Sequence, residues 1–178
     1  MHKDKKAAHA GINTAEIRAA ATNVSDGAVT AGYKAERKEV IALLNGALAT
    51  ELVCILRYKR HYYTATGLQN SPIKAEFLLN AQEEQHHADL LAERIVQLNG
   101  HPDLNPATLT ARSHAEYDDS KDIQAMIKAN LIAERVAIES YRQMIEMLGD
   151  TDPTTRQMLI GIMAEEEEHA DEMRDLLA

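Results

Sequence analysis

The sequence has one cysteine, Cys54, and no tryptophan. A lone cysteine excludes a disulfide framework and any Cys-x-x-Cys metal knuckle, and it suits a reducing compartment. Aromatic residues make up 4% of the chain, and proline occurs only at 72, 102, 106 and 153. With alanine, leucine, glutamate and isoleucine dominating, that scarcity favours an all-helical protein. Nowhere are there 18 consecutive apolar residues, and Met1-His2-Lys3-Asp4-Lys5-Lys6 has no apolar run behind it. Neither a membrane span nor a secretory leader is therefore expected, and the protein should be soluble and cytoplasmic. A chain of 178 residues suits one domain with a substantial core.

Charge is unevenly spread. The first 34 residues carry five Lys/Arg against three Asp/Glu, a balance of +2, which leaves −11 for the remainder of a chain whose net charge is −9. So acidic a body discourages nucleic acid and attracts cations, while the small basic segment could still touch a phosphate backbone through Lys3, Lys5 and Lys6.

Against this background one repeat stands out. Glu84-Gln85-His86-His87-Ala88-Asp89 recurs as Glu166-Glu167-Glu168-His169-Ala170-Asp171, both reading Glu-x-x-His-Ala-Asp. Upstream of each lies Glu-x-Val-x-Ile-x-x-Tyr, once from Glu51 to Tyr58 and once from Glu134 to Tyr141. The two elements are separated by nearly the same interval in each copy, so one two-helix unit is used twice.

Apolar periodicity fills in the helices. Residues 1–34 read as a flexible arm, with a short helix over 14–23 capped by Thr14. A bundle domain then occupies 35–178. Its first helix spans about 36–66, with Val40, Leu44, Leu48, Ile55 and Tyr62 on one face and Gly67 as terminator. Ser71 as N-cap and Pro72 at the first position start the second helix, whose face includes Ile73, Phe77, Ala81, Leu91, Ile95 and Leu98. Residues 101–119 form a long connection. A third helix runs over about 121–148 to Gly149, and a fourth starts at Asp152-Pro153. Four helices of matched length, with short links inside each pair and a long one between pairs, predict an antiparallel four-helix bundle with one lengthwise crossover between helices 2 and 3.

Glu51, Glu84, Glu134 and Glu166 fall mid-helix on stripes otherwise made of Leu, Ile, Val and Met, with no Lys or Arg on the matching stripe. An unpaired buried carboxylate costs several kcal/mol, so four of them require compensation. One Glu-x-x-His on a helix is ordinarily a solvated pair, but two copies, each with its own upstream Glu, point to a site. Four carboxylates with His87 and His169 match two divalent cations in ligand number and charge, and carboxylate with imidazole suits iron or manganese better than structural zinc. Aligning the two His-Ala-Asp tripeptides selects His87 over His86, which is left on the solvent side or behind the ligands. Tyr58 and Tyr141, two turns beyond Glu51 and Glu134, are placed to hydrogen-bond a ligand carboxylate of a partner helix. Cys54, whose counterpart is Ala137, reads as a small core residue. Met144, Met147, Met158, Met163 and Met173 read as core packing.

A Glu from each of two helices and Glu-x-x-His from each of the other two is the pattern of the ferritin-like di-iron carboxylate proteins. From about residue 36 onward the chain resembles their bacterioferritin branch, with its Glu-Leu-Val and its Tyr seven residues after the Glu. The resemblance implies that Glu51 with His87 holds one iron, that Glu134 with His169 holds the other, and that Glu84 and Glu166 bridge them. Bacterioferritins bind haem through a Met directly after the helix 2 Glu; Gln85 stands there, so haem is not expected. The sequence ends nine residues after His169, without the fifth helix of those proteins, and in this it is more similar to Dps-like mini-ferritins. The implied function is a ferroxidase and iron-storage protein that oxidises Fe(II) with O2 or H2O2 and assembles as a homo-oligomeric cage, smaller than 24 subunits, with twelve favoured. Rivals are a rubrerythrin-like peroxidase, although the rubredoxin cysteines are absent, a di-iron oxidase without storage, and a DNA-protecting Dps-like protein.

Overall fold

The computed structural model describes residues 11–178, which form two compact units divided after Tyr33. In the first, α1 (Thr14–Ala20) buries none of its side chains. Its cap is Asn13 rather than Thr14: the Asn13 side chain accepts the Glu16 N–H, leaving Thr14 as the first helical residue. Lys3, Lys5 and Lys6 lie outside the described residues.

The second unit contains the four long helices α2 (Arg37–Thr64), α3 (Ser71–Gln97), α5 (Ile123–Leu148) and α6 (Pro153–Asp175), with the one-turn α4 (Leu109–Arg112) in the long connection. All regular structure among the described residues is helical. α2 packs on α3 and α5, and α5 on α6. The bundle is an antiparallel four-helix bundle with its crossover between α3 and α5. That crossover can be followed along α2 by its hydrogen bonds. The Asp103 N–H donates to Asn45 Oδ1, the His114 N–H to Thr50 Oγ1 and Arg57 Nη1 to Glu116 O, and His61 Nε2 lies 3.1 Å from Asp118 Oδ1. From Asn45 to His61 is roughly 24 Å of helix. α5 therefore starts beside the C-terminal end of α2 and runs antiparallel to it.

Helix ends differ from expectation by a residue or two. α2 stops at Thr64, and Gly67, at φ +100°, instead opens a short 3-10 turn leading into α3. Asn70, not Ser71, occupies the cap position of α3, so Pro72 sits second in the helix, still where its missing N–H leaves no partner wanting. Asp122 and Asp152 cap α5 and α6 by accepting from Ala125 and Thr155, each worth about 1 kcal/mol. After α3, Asn99 at φ +63° turns the chain, and Gly100 lies so close to Ile41 that a Cβ would stand 2.9 Å from it.

By length and composition α2 could cross a membrane. Its buried face nevertheless carries Glu51, Arg57 and His61 and packs on α3 and α5, as a core helix's does. The core divides into two apolar blocks. Phe77, Ala81, Met126, Ile127 and Met173 fill one end, and Leu44, Leu48, Leu91, Ile95, Leu159 and Ile162 the other. A polar layer separates them. Met144 and Met173 are buried and Met158 and Met163 partly so, but Met147 is 68% exposed and is no part of the core.

A candidate two-metal centre

Glu51, Glu84, Glu134, Glu166 and His87 are buried at 0–1% exposure and His169 at 3%. The four helices converge them in two overlapping groups: Glu51, Glu84, His87 and Glu166, and Glu84, Glu134, Glu166 and His169, each with its ligand atoms within 4.8 Å of one another. Glu84 and Glu166 belong to both. His87 Nδ1 lies 3.1 Å from Glu166 Oε1, 3.4 Å from Glu84 Oε2 and 3.6 Å from Glu51 Oε2; His169 Nδ1 lies 3.5 Å from Glu166 Oε2. The imidazoles are stacked with centroids 6.1 Å apart.

Each half of the repeat supports the other. Tyr58 on α2 donates to Glu134 Oε1 on α5 at 2.5 Å, and Tyr141 on α5 donates to Glu51 Oε1 on α2. Burial, reinforced by neighbouring carboxylates, pushes both phenols well above their ordinary range, so they remain donors. The outward imidazole nitrogens are also held crosswise, His87 Nε2 to Glu165 at 2.8 Å and His169 Nε2 to Glu83 at 2.9 Å. This fixes which nitrogen faces inward. His86 is exposed, and Gln85 donates to Asp89 on the outer surface. Cys54 packs against Ala115 and Ala133, and burial raises its thiol so that no thiolate is offered.

Protons carry the compensating charge. Burial, then the charges of Glu166, Glu51 and Glu134, raises the Glu84 carboxyl far above its usual range, and burial with Glu166 raises Glu134. For Glu166 burial pulls upward too, but His169 and His87 outweigh it and hold the carboxyl down. Burial opposes charge on the imidazoles, yet the carboxylates prevail: His87 is raised, and His169 reaches about 9.

A cation is in fact present where none was expected. Arg57 is fully buried, its Nη2 3.7 Å from Glu134 Oε1 and its Nε donating to Asn130 Oδ1 at 2.8 Å. It falls beside the ligand stripe rather than on it, adjacent to Tyr58. Asn130, and Asn80 donating to Tyr58, complete this polar set. Glu83 and Glu165 were also missed, although each immediately precedes the Glu of its Glu-x-x-His, so superposing the repeats would have paired them.

The donor set remains incompletely satisfied. Glu51 Oε2, Glu84 Oε1, Glu134 Oε2, both Glu166 oxygens and His169 Nδ1 are buried without a hydrogen bond. Orphaned oxygens and imidazole nitrogen converging in one layer fit divalent cations of the iron or manganese type. The Ferritin-like domain family matches residues 41–178. The chain belongs to the ferritin-like family. It is similar to the dodecameric thioferritin, a bacterioferritin-related protein, of Bacteroides fragilis, at 33% identity and TM-score 0.77 over 81% of this chain and 87% of that one. It is also similar to the Desulfovibrio desulfuricans bacterioferritin, whose di-iron site has been described in different catalytic states, at 25% identity and TM-score 0.71 over 79% of each chain. A DNA protection during starvation protein of Pyrococcus furiosus is 30% identical over 144 residues, 79% of this chain and 77% of the relative.

Proposed function

We propose that this ferritin-like chain binds two iron ions at the buried centre, oxidises Fe(II) there and passes the ferric product to storage. Glu51 with His87 would hold one ion, Glu134 with His169 the other, and Glu84 with Glu166 both. The observation that carries this reading is the convergence of orphaned carboxylate oxygens with His169 Nδ1 in a layer otherwise neutralised by protons. Two ions side by side supply two electrons together, enough to take H2O2 with two protons to water without releasing a radical. The protein's part is positional. Tyr58 and Tyr141 fix one oxygen of Glu134 and Glu51 and leave the other turned to the centre, while Glu83 and Glu165 orient the imidazoles.

Storage needs an enclosed volume, which one bundle lacks, so the reading includes a closed homo-oligomer. The dodecameric relative supports twelve subunits, and cytoplasmic placement belongs to the same reading. Anaerobic Fe(II) titration, followed by admission of O2 or H2O2, tests it. Uptake well beyond two ions per chain is expected; oxidation that stops at two identifies a di-iron oxidase or rubrerythrin-like peroxidase, and no uptake refutes the assignment.

A second reading, protection of DNA, is favoured by the Pyrococcus furiosus relative and by the basic balance of the first 34 residues. A gel-shift titration of the full chain with duplex DNA decides it. Retardation at low salt that disappears on replacing Lys3, Lys5 and Lys6 by glutamine supports it; free migration removes it.

A further inference from the structure

The two halves of the centre share a repeat but not their surroundings. Aligning the repeats sets Ser140 opposite Arg57, Ala47 opposite Asn130 and Ile162 opposite Asn80. Arg57, Asn130 and Asn80 are all fully buried. Arg57 Nε donates to Asn130 Oδ1 at 2.8 Å, Asn80 Nδ2 to the Tyr58 hydroxyl at 3.2 Å, and Tyr58 in turn to Glu134. Arg57 Nη2, 3.7 Å from Glu134 Oε1, is buried without a hydrogen bond of its own. In the other half Ser140 spends its hydroxyl on Val136 O of its own helix at 2.8 Å, and Ala47 and Ile162 bring no polar group. Glu51 receives the Tyr141 hydroxyl, and its one ion-pair partner within 4 Å among the described residues is the imidazole of His87 at 3.6 Å.

The surface breaks the symmetry the same way. A recess of about 410 Å³, lined by Leu79, Glu83, Glu165, Glu168, His169 and Glu172, reaches His169 and not His87.

We propose that the two metal positions are unequal by construction: the Glu51–His87 position binds tightly and keeps its ion, and the Glu134–His169 position binds weakly and exchanges its ion through the acidic recess, with Arg57 as the positioning residue that sets the difference. The inference rests on the two-ion reading above. An arginine stays protonated under all working conditions. Its charge is buried, so water screens it little, and its repulsion falls with distance, acting first on the cation beside Glu134. The guanidinium also competes for Glu134, a ligand of that position alone. A retained ion beside an exchanging one lets the centre turn over without emptying.

The test is anaerobic titration of the full-length, metal-free protein with Co(II), followed by visible absorbance and calorimetry. The natural protein should take two ions per chain in steps separated about tenfold or more. Arg57→Met should tighten the second step by about the same factor and leave the first nearly unchanged, while Arg57→Lys, which keeps the charge, preserves the separation. Crystals grown with one equivalent of Co(II) should show a single anomalous peak between Glu51 and His87. Two equal steps, an unaltered separation in Arg57→Met, or a peak at Glu134 and His169 overturns the asymmetry while leaving the two-ion reading intact. Uptake of one ion or none refutes that reading and the asymmetry with it. Should Arg57→Met not fold, the one-equivalent crystal of the natural protein decides alone.

Discussion

Glu84 and Glu166 stand where the two donor groups overlap, so in the proposed centre each would serve both positions. Glu84→Ala should slow Fe(II) oxidation by about a hundredfold or more, as loss of a shared ligand does. The same change should leave helix content intact, because it removes a carboxyl whose charged form burial opposes. His169→Ala should abolish fast oxidation as well, but destabilise the metal-free protein, since it takes a counter-charge from Glu166 and Glu134. Stopped-flow oxidation with circular dichroism and urea titration checks both; oxidation at the natural rate in either variant refutes the site. Protons occupy the centre when metal does not. His87 and His169 are both raised, His169 to about 9, so at pH 7 each holds a proton that a cation must displace. Loading two ions should release about two or more protons per chain, and affinity should climb with pH through about pH 9, where His169 gives up its proton. The sign for metal-free stability is the reverse: a raised histidine stabilises fully below its unfolded value, and that contribution is lost as pH rises through about 9. Calorimetry in buffers of differing ionisation enthalpy measures the release. The six carboxylate and imidazole residues were legible because each breaks an apolar stripe at a position the repeat marks twice. Arg57 was not, because an arginine beside a stripe ordinarily runs its stem along the core and its head into water. Here the head turns inward instead, to Asn130 and Glu134 of α5 and to Glu116 O of the crossover.

The helices themselves were readable from period and punctuation, and their ends were less so. Thr14 and Ser71 are good capping residues, but a neighbouring Asn occupied each cap position, a choice of one residue that local preference leaves nearly open. Met147 shows the complementary failure: methionine is apolar enough to be assigned inward, while its place on α5 points it to the surface. What joins the two helix pairs at the end distant from the crossover's finish was not visible in either repeat. Arg94 of α3 grips both oxygens of Asp152, the cap of α6, at 3.0 and 3.1 Å and donates to Thr155 Oγ1 at 2.8 Å, all three residues being buried. Removing one partner strands a buried charge and loosens a helix end together. Arg94→Met should therefore lower stability by about 3 kcal/mol, with Asp152→Ala comparable. Urea unfolding measures the loss, and a change below about 0.5 kcal/mol would show that the pair is incidental.

Storage demands a closed particle. Twelve chains of 19.7 kDa give about 236 kDa, and light scattering should find that species. A mass near two chains at every concentration removes storage and leaves oxidation. Within one chain, the crosswise bonds carry a further meaning. Each hairpin lends its tyrosine and its outer glutamate to its sibling and keeps neither for its own carboxylate and imidazole. A hairpin alone thus has half a centre, and two identical hairpins related by a twofold axis would have a whole one. The residues from 98 to 122 act on this view as a tether, holding the second hairpin at an effective concentration on the order of millimolar, not as part of the chemistry. Cleavage at an engineered protease site after Leu104, in an exposed stretch of that tether, should leave the two fragments migrating together under native conditions and still binding metal. Fragments that drift apart would mean that the crossover does more than connect: that Arg57, the residue which makes the siblings unlike, depends on it to stay buried.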